Sequence, residues 1–191
     1  MDKFQFDAAS NPHLAEIQVE KKLVYQGSFL TVEKDTVRLP DGKHVSREYI
    51  KHPGAVVILP LFDDGKVLLE RQFRYPLNQV FIEFPAGKID PNEDSLLCAQ
   101  RELREETGYT ATDWRYLCTI HNAIAYSDEH LDIFLARGLI AGEAKLDDEE
   151  FLETFVASVS DLSDWVKSGK VTDVKTVIGS FWLEKIISNQ W

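Results

Sequence analysis

Between residues 22 and 50, apolar and polar residues alternate in a way that predicts two or three strands. The stretch LVYQGSFLTVEKDTVRL is rich in β-branched and aromatic residues, which favour strands. Residues 40–43 read PDGK, a sequence typical of a tight turn, so HVSREYI after it is predicted to pair back on the preceding strand. The mixed, polar first 18 residues or so are expected to form a loosely held arm. The Pro-Gly step in residues 51–54 predicts a boundary.

A second group of strands is predicted after that boundary. Residues 55–62 form a nearly continuous apolar run, which favours a strand buried on both faces. Further strands are predicted over residues 67–73, 80–84, 114–120, 131–136 and 151–159. Strands and helices interleave without a regular parallel βαβ repeat. The predicted fold class is therefore α/β or α+β, with a mixed sheet between helices.

Residues 94–107 form the clearest predicted helix. Asp94 suits the N-cap, and Gly108 stands where a left-handed C-cap belongs. At helical spacing the apolar stripe consists of Leu96, Ala99 and Leu103. Two further helices are predicted at residues 161–168 and 172–187.

The adjoining stripe of this helix carries three carboxylates, which belong to Glu102, Glu105 and Glu106. Residues three and four apart share a helix face, so these side chains are predicted to point the same way. Carboxylates so close repel one another unless positive charge lies among them. A divalent cation that prefers oxygen ligands, such as Mg²⁺, is the simplest source of that charge. The alternative is a solvated acidic helix whose glutamates are neutralised by Arg101 and Arg104.

Composition excludes several classes of function. The formal net charge of −11 argues against nucleic acid or an anionic membrane as partner, although a bound metal would still admit a small phosphorylated substrate. No apolar run approaches the length of a membrane span, and the N-terminal residues lack the apolar core of a secretory signal. We therefore expect a cytoplasmic protein in which Cys98 and Cys118 are free thiols. The absence of paired zinc spacing, a G-x-S-x-G elbow and a P-loop disfavours zinc, serine-nucleophile and kinase chemistry.

One spacing pattern joins the acidic helix to the loop before it. The pattern consists of Gly87, Glu93, Arg101, Glu102, Leu103, Glu105, Glu106, Gly108 and Tyr109. It resembles the Nudix box, the signature of hydrolases that act on a nucleoside diphosphate linked to another moiety. Tyr109 stands where that family usually has an aliphatic residue, and the other positions match strictly.

This resemblance implies a loop–helix–loop that binds Mg²⁺ or Mn²⁺. The implied metal ligands are the main-chain carbonyl of Ala86 and the side chains of Glu102, Glu105, Glu106 and Glu150. The implied catalytic residues are Glu105, Glu106 and Glu150. Glu150 would act as the general base, with Asp148 and Glu149 as close alternatives. Glu93 and Arg101 would form a structural pair that fixes the loop against the helix.

A wider resemblance, from about residue 23 to the C terminus, is to the ADP-ribose pyrophosphatase branch of this family. It implies a small N-terminal β subdomain, residues 1–52, that swaps across a homodimer, and a Nudix-like domain over residues 53–191. The implied substrate-binding residues are Phe29, Arg47, Glu48, Arg74 and Glu129. Ordinary structural roles would also explain three of them. Phe29 would suit a core, and Arg47 and Glu48 would suit pairing with cross-strand neighbours.

The sequence departs from that branch at residues 124–125, where Ile-Ala replaces a common Pro-Gly pair. Proline restricts both itself and its predecessor, so another loop shape is expected. The predicted activity is Mg²⁺-dependent hydrolysis of the diphosphate bond of a nucleoside diphosphate sugar, ADP-ribose first. GDP-mannose or another nucleoside diphosphate hexose is the alternative substrate. Two further candidate functions are hydrolysis of dinucleoside polyphosphates or oxidised nucleotides and non-catalytic sensing of a nucleotide. The complete carboxylate set favours an enzyme.

Overall fold

The chain divides into two compact units in the computed structural model, which describes residues 6–146 and 150–191. The first unit comprises Met1–His52 and Ala123–Glu129, and the second comprises Pro53–Asn122 and His130–Trp191. Within the described residues, no helix is both long enough and apolar enough to cross a membrane.

The first unit is built on an antiparallel sheet with the strand order β1-β2-β3. Its strands are β1 (Ile17–Gln26), β2 (Thr31–Arg38) and β3 (His44–Lys51). The predicted turn before HVSREYI is confirmed, since the Gly42 N–H donates to the Leu39 carbonyl at 2.9 Å. Strand β1 begins inside the stretch that was expected to be an arm, because alternation already starts at Ile17. The segment 123–129 joins this unit through a parallel bridge between Ile50 and Ser127.

The second unit contains a mixed four-stranded sheet, ordered β7-β4-β9-β8, and an antiparallel three-stranded sheet, ordered β10-β5-β6. The strands are β4 (Ala55–Pro60), β5 (Lys66–Arg74), β6 (Gln79–Glu83), β7 (Ala86–Lys88), β8 (Thr110–Ile120), β9 (Leu131–Ile140) and β10 (Leu152–Ser158). The helices are α1 (Ser95–Thr107), α2 (Val159–Lys167) and α3 (Val174–Ile187). Strands β4 and β9 run parallel, and their other neighbours run antiparallel.

Strand β4 is buried on both faces, which explains its nearly continuous apolar sequence. Val56 and Ile58 pack in one cluster with Leu103 of helix α1. Leu59 faces the other way and packs in a second cluster with Leu183 of helix α3. The α+β prediction, with a mixed sheet between helices, is confirmed. Each fully buried side chain of this size contributes about 1.5–3 kcal/mol relative to an exposed one.

Helix α1 begins and ends where the sequence predicts. The Asp94 carboxylate accepts hydrogen bonds from the main-chain N–H groups of Leu96 and Leu97. Gly108, at φ +75°, donates its N–H to the Arg104 carbonyl and forms a left-handed C-cap. A side chain there would also meet the main chain of the following loop, because a Cβ would lie 2.6 Å from the Ala144 nitrogen. The end of α1 therefore lies directly against residues 142–144.

Several element boundaries differ from the prediction. Strand β7 was not predicted, because three residues are too few to show alternation. Strands β8 and β9 are longer than predicted, reaching back to Thr110 and on to Ile140. Helix α2 starts at Val159, which is the last residue of the strand predicted over residues 151–159, because Ser158 serves as the N-cap of the helix.

Candidate active site

Two glutamates of α1 turn inward against the segment that carries β7. Glu106 is 4% exposed and accepts a hydrogen bond from the Ala86 N–H at 3.1 Å. Burial, reinforced by the nearby charge of Glu70, raises the pKa of Glu106 well above its usual range. The Glu102 carboxyl lies on Gly87, where a Cβ would sit 1.9 Å from its Cδ atom. Burial also raises the pKa of Glu102. Glycine at position 87 is therefore what admits the Glu102 carboxylate.

Arg101 braces the loop before α1 and also holds two of the glutamates. Its Nε and Nη2 atoms each donate to a Glu93 oxygen at 2.9 Å, which confirms the predicted structural pair. These hydrogen bonds lower the pKa of Glu93 to about 2. Its Nη1 atom donates to Glu102 at 2.7 Å and to Glu105 at 3.1 Å. The neutralising role considered for Arg101 is thus present beside the bracing role.

Whether these residues can bind a divalent cation depends on where their carboxylate oxygens point. Over residues 6–146 and 150–191, no three His, Cys, Asp or Glu side chains are arranged to hold a metal ion as they stand. Glu102 and Glu105 instead face Arg101. The donor chemistry nevertheless suits Mg²⁺ or Mn²⁺, which take carboxylate oxygens. Within the described residues, a further buried carboxylate has no hydrogen-bond partner on either oxygen, so we conclude that the residues fit a cation once Glu102 and Glu105 turn from Arg101.

That buried carboxylate belongs to Glu70, which was not predicted from the sequence. Glu70 is fully buried in β5, directly after three buried apolar residues, 67–69. Burial raises its pKa. The only signal in the sequence is that Glu70 directly follows the apolar residues 67–69. A glutamate at that position is equally typical of a strand that reaches solvent at its end.

Glu150 lies close enough to this group to act on it electrostatically. Its charge raises the pKa values of Glu70, Glu102 and Glu106. Glu150 stands two residues before β10. Earlier in the chain, the Lys145 N–H donates to the Glu105 carbonyl of α1 at 2.9 Å. Glu150 therefore lies within electrostatic range of the inward-facing glutamates. The alternative bases, Asp148 and Glu149, lie outside the described residues.

Arg74 is held at the edge of a cavity of about 560 Å³. Its Nε and Nη2 atoms each donate to one oxygen of buried Glu83 at 2.7 Å. Lys175 donates to Glu83 as well, and to Asp173 at 3.1 Å. Burial pushes the pKa of Glu83 upward, but the Arg74 hydrogen bonds and the Lys175 charge hold it below its usual value. Sequence reasoning found Arg74 but neither Glu83 nor Lys175.

Three of the residues implied to bind substrate lie in the β1-β2-β3 sheet and the turn before β2. Phe29 is 62% exposed, so the alternative that placed it in a core is wrong. Glu48 pairs with its cross-strand neighbour Lys34 at 2.8 Å, as the structural alternative predicted. Arg47 instead donates to both carboxylate oxygens of Glu16, at 3.0 and 2.5 Å. Both charged side chains are therefore engaged within the first unit.

Glu129 belongs to the first unit too, on a segment fixed to the end of β3. Asp128 accepts hydrogen bonds from the Lys51 ammonium and, at 2.8 Å, from the His52 N–H. The Glu129 N–H donates to the Ser127 hydroxyl at 3.1 Å, and its carboxylate lies 3.7 Å from the His52 imidazole. The glutamates of α1, Arg74 and Glu150 belong to the second unit.

Comparisons with known proteins agree with the motif. The NUDIX domain matches residues 51–176, and the nucleoside diphosphate sugar hydrolase N-terminal domain matches residues 16–50. The chain is 37% identical to an ADP-ribose pyrophosphatase of Bacillus subtilis over 90% of its own length and 94% of the relative. It is 32% identical to a methanol dehydrogenase activator of Bacillus methanolicus over 88% and 92%.

A solved structure described as an ADP compounds hydrolase has the same fold. Its TM-score is 0.83, with 23% identity, over 93% of this chain and 97% of that one. The domain match covers more than half of the chain and includes the whole of the acidic helix. The resemblance drawn from the nine-residue pattern is thus confirmed, and the chain belongs to the Nudix hydrolase family.

Proposed function

We propose that this hydrolase cleaves the diphosphate bond of a nucleoside diphosphate sugar, with ADP-ribose as the first candidate, and that it needs Mg²⁺ or Mn²⁺. The observation that carries the proposal is the inward-facing carboxylate group beside the Ala86-Gly87 segment. The likeness to an ADP-ribose pyrophosphatase over almost the whole chain supports the substrate class. The products would be a nucleoside monophosphate and a sugar phosphate.

Each proposed catalytic residue has a role that follows from its surroundings. The cation would be held by Glu102, Glu105, Glu106, Glu150 and the Ala86 carbonyl. When bound, it would supply positive charge to the diphosphate oxygens and lower the pKa of the attacking water. Glu106, whose carboxylate is held in place by the Ala86 N–H, would be the buried ligand of the cation. Glu150, on the loop before β10, would accept the water's proton.

Substrate contacts are proposed at the five residues that the family resemblance indicates. The Phe29 side chain is largely exposed, and an aromatic ring can stack on a base. Arg74 presents a guanidinium fork suited to a diphosphate, and Glu83 holds that fork in place. Arg47 would have to leave Glu16, and Glu48 would have to leave Lys34, before either could contact a ligand. Glu129 completes the proposed set.

The segment 123–129 favours a second candidate substrate, GDP-mannose or another nucleoside diphosphate hexose. Ile124-Ala125 replaces the Pro-Gly pair that is common in ADP-ribose enzymes, and the Ile124 side chain is exposed. A bulky aliphatic side chain at this point would favour a different sugar from the one that a proline-restricted loop accepts.

A homodimer formed through the N-terminal strands is part of the proposal. All ten residues of β1 are exposed, among them the apolar side chains of Ile17, Val19, Leu23, Val24 and Tyr25. Apolar surface of this extent is typical of an interface. Light scattering at micromolar concentration is expected to give twice the mass of one chain, and a monomeric mass would contradict the dimer.

We place the enzyme in the cytoplasm, which the two free thiols support.

A substrate panel tests the activity. The full chain is incubated with Mg²⁺ and ADP-ribose, GDP-mannose, UDP-glucose or diadenosine polyphosphates. Phosphate is then measured after a coupled phosphatase step. We expect ADP-ribose to turn over fastest, and Glu106→Gln to lose at least about a hundredfold in kcat. Glu153→Gln, which changes an exposed glutamate paired with Arg71, is the matched control and should keep full activity. No turnover of any compound would exclude the proposal, and a fully active Glu106→Gln would exclude the metal assignment.

A further inference from the structure

Glu70 is a fully buried glutamate in the central strand of a sheet, where apolar residues are usual. It lies in β5, the central strand of the β10-β5-β6 sheet, with Glu83 and Thr154 as its neighbours across the two ladders. Its exposed fraction is 0%. Residues 67–69 before it are apolar and buried, so an apolar residue would continue the pattern here. Glutamate is almost never fully buried unless it is paired.

Neither oxygen of Glu70 has a hydrogen-bond partner in the part of the chain that the structure describes. The two cations whose charges act on it are both engaged elsewhere. Arg74 donates both arms of its guanidinium to Glu83, and Lys175 donates to Glu83 and Asp173. An unpaired buried carboxylate is strongly destabilising, so its retention calls for a partner that the described residues do not supply.

Glu70 lies in the same part of the second unit as another buried carboxylate, because its ladder partner Glu83 stands three residues before Ala86, whose N–H donates to Glu106. Glu106 is almost fully buried and has one oxygen bonded to the Ala86 N–H. Glu70 is the charged group with the strongest effect on Glu106, and Glu102 and Glu150 act on it in the same sense. No cationic side chain donates to Glu70 or Glu106 in the described residues. A partner for this pair must therefore be positive, small and able to take several oxygen ligands, as a divalent cation is.

We propose that Glu70 is a further carboxylate ligand of the cation site, drawing the ion inward to a position between β5 and Glu106. This ion is the Mg²⁺ or Mn²⁺ of the proposed function, so the inference rests on the metal requirement proposed there. The two buried carboxylates would form the inner side of the site. Glu102 and Glu150 would supply further carboxylate oxygens.

Manganese binding tests the assignment without any measurement of activity. The full chain is stripped of metal, and free Mn²⁺ is followed by its electron paramagnetic resonance signal during a titration. We expect Glu70→Gln to raise the Mn²⁺ Kd about ten- to hundredfold, the range seen when groups that support a metal site are removed. Glu153→Gln, on the neighbouring strand β10 and exposed, should leave the Kd unchanged.

A second variant guards against a folding defect. Glu70→Leu continues the apolar run of β5, so it should fold even where the amide of Gln disturbs the strand. Without metal, Glu70→Leu should unfold at a higher temperature than the wild type, because an unpaired buried carboxylate has been removed. With saturating Mn²⁺, its gain in unfolding temperature should be smaller than that of the wild type.

The outcomes separate this inference from the proposed function. Wild-type Mn²⁺ affinity in both Glu70 variants would overturn the inference, and so would a wild-type chain that binds no Mn²⁺. If the wild type hydrolyses nucleotide sugars while both variants keep its affinity, only the inference fails. If no nucleotide sugar is cleaved yet Mn²⁺ binding depends on Glu70, only the proposed substrate class fails.

Discussion

Arg74 and Glu83 form a two-pronged ion pair between neighbouring antiparallel strands, with each of two guanidinium nitrogens 2.7 Å from a different carboxylate oxygen. Glu83 is buried, and a third hydrogen bond reaches it from Lys175. Burial alone would favour the protonated acid, so its lowered pKa shows that these two cations outweigh the loss of solvent. The pair fixes the guanidinium at the rim of the cavity and gives β6 a specific partner on β5.

Removal of this guanidinium should destabilise the protein. We expect Arg74→Gln to lower the free energy of unfolding by about 1.5–3 kcal/mol at pH 7, the range for hydrogen bonds to charged groups. Arg71→Gln is the matched control, since Arg71 lies on the same strand but pairs with exposed Glu153 at 3.2 Å. That change should cost less than about 1 kcal/mol. Equal losses in urea unfolding would show that the Arg74 pair behaves as an ordinary surface contact.

The acidic helix could be predicted closely because its signals are local. Asp94 and Gly108 mark its ends, and the apolar stripe that includes Leu103 repeats within a few residues. The inner side of the site could not be predicted in this way. Glu70 and Glu83 stand in strands, and only the folded structure reveals that, among the described residues, Glu70 has no partner while Glu83 has two. Sequence spacing carries no information about such distant neighbours.

The brace between Glu93 and Arg101 should make stability depend on pH in a defined window. The folded pKa of Glu93, about 2, lies below its value of 4.5 without the partner. A depressed pKa stabilises the fold above pH 4.5, and this contribution is lost as the pH falls toward 2. Glu93→Gln should therefore lower the free energy of unfolding by about 1–2 kcal/mol at pH 7. The difference from wild type should shrink steadily between pH 4.5 and 2.

Urea unfolding at pH 7, 4 and 3 measures that window. Asp90→Asn is the control, because Asp90 lies 4.0 Å from the Arg101 guanidinium and is largely exposed. Its effect should stay within about 0.5 kcal/mol at every pH. A Glu93→Gln deficit that does not change between pH 7 and pH 3 would mean that the ionised carboxylate is not what braces the loop.

The two thiols should differ in reactivity although both are free. Cys98 is fully buried on the inner side of α1, and burial raises the pKa of its thiol to about 12. Since the thiolate is the reactive form, Cys98 should not react with a disulfide reagent at pH 8 in the folded protein. Cys118 is partly exposed and should react slowly, and both should react once the protein is unfolded in urea. In the variant Cys118→Ala, rapid reaction of the folded protein would contradict the burial of Cys98.

Gly87 should prove necessary for the position of the Glu102 carboxylate. In Gly87→Ala the new methyl group would fall on the carboxyl carbon, so that carboxylate must swing away from the β7 segment. We expect the Mn²⁺ Kd to rise at least about tenfold, as for loss of a metal-site partner. Gly42→Ala controls for a loss of stability that does not involve the metal site. A side chain strains the backbone there, at φ +88°, but nothing lies within 4 Å of the added atom. It should therefore lose stability by up to about 1 kcal/mol while it keeps the wild-type Mn²⁺ affinity. If both variants bound Mn²⁺ as tightly as the wild type, Glu102 would not reach the ion from its place on Gly87.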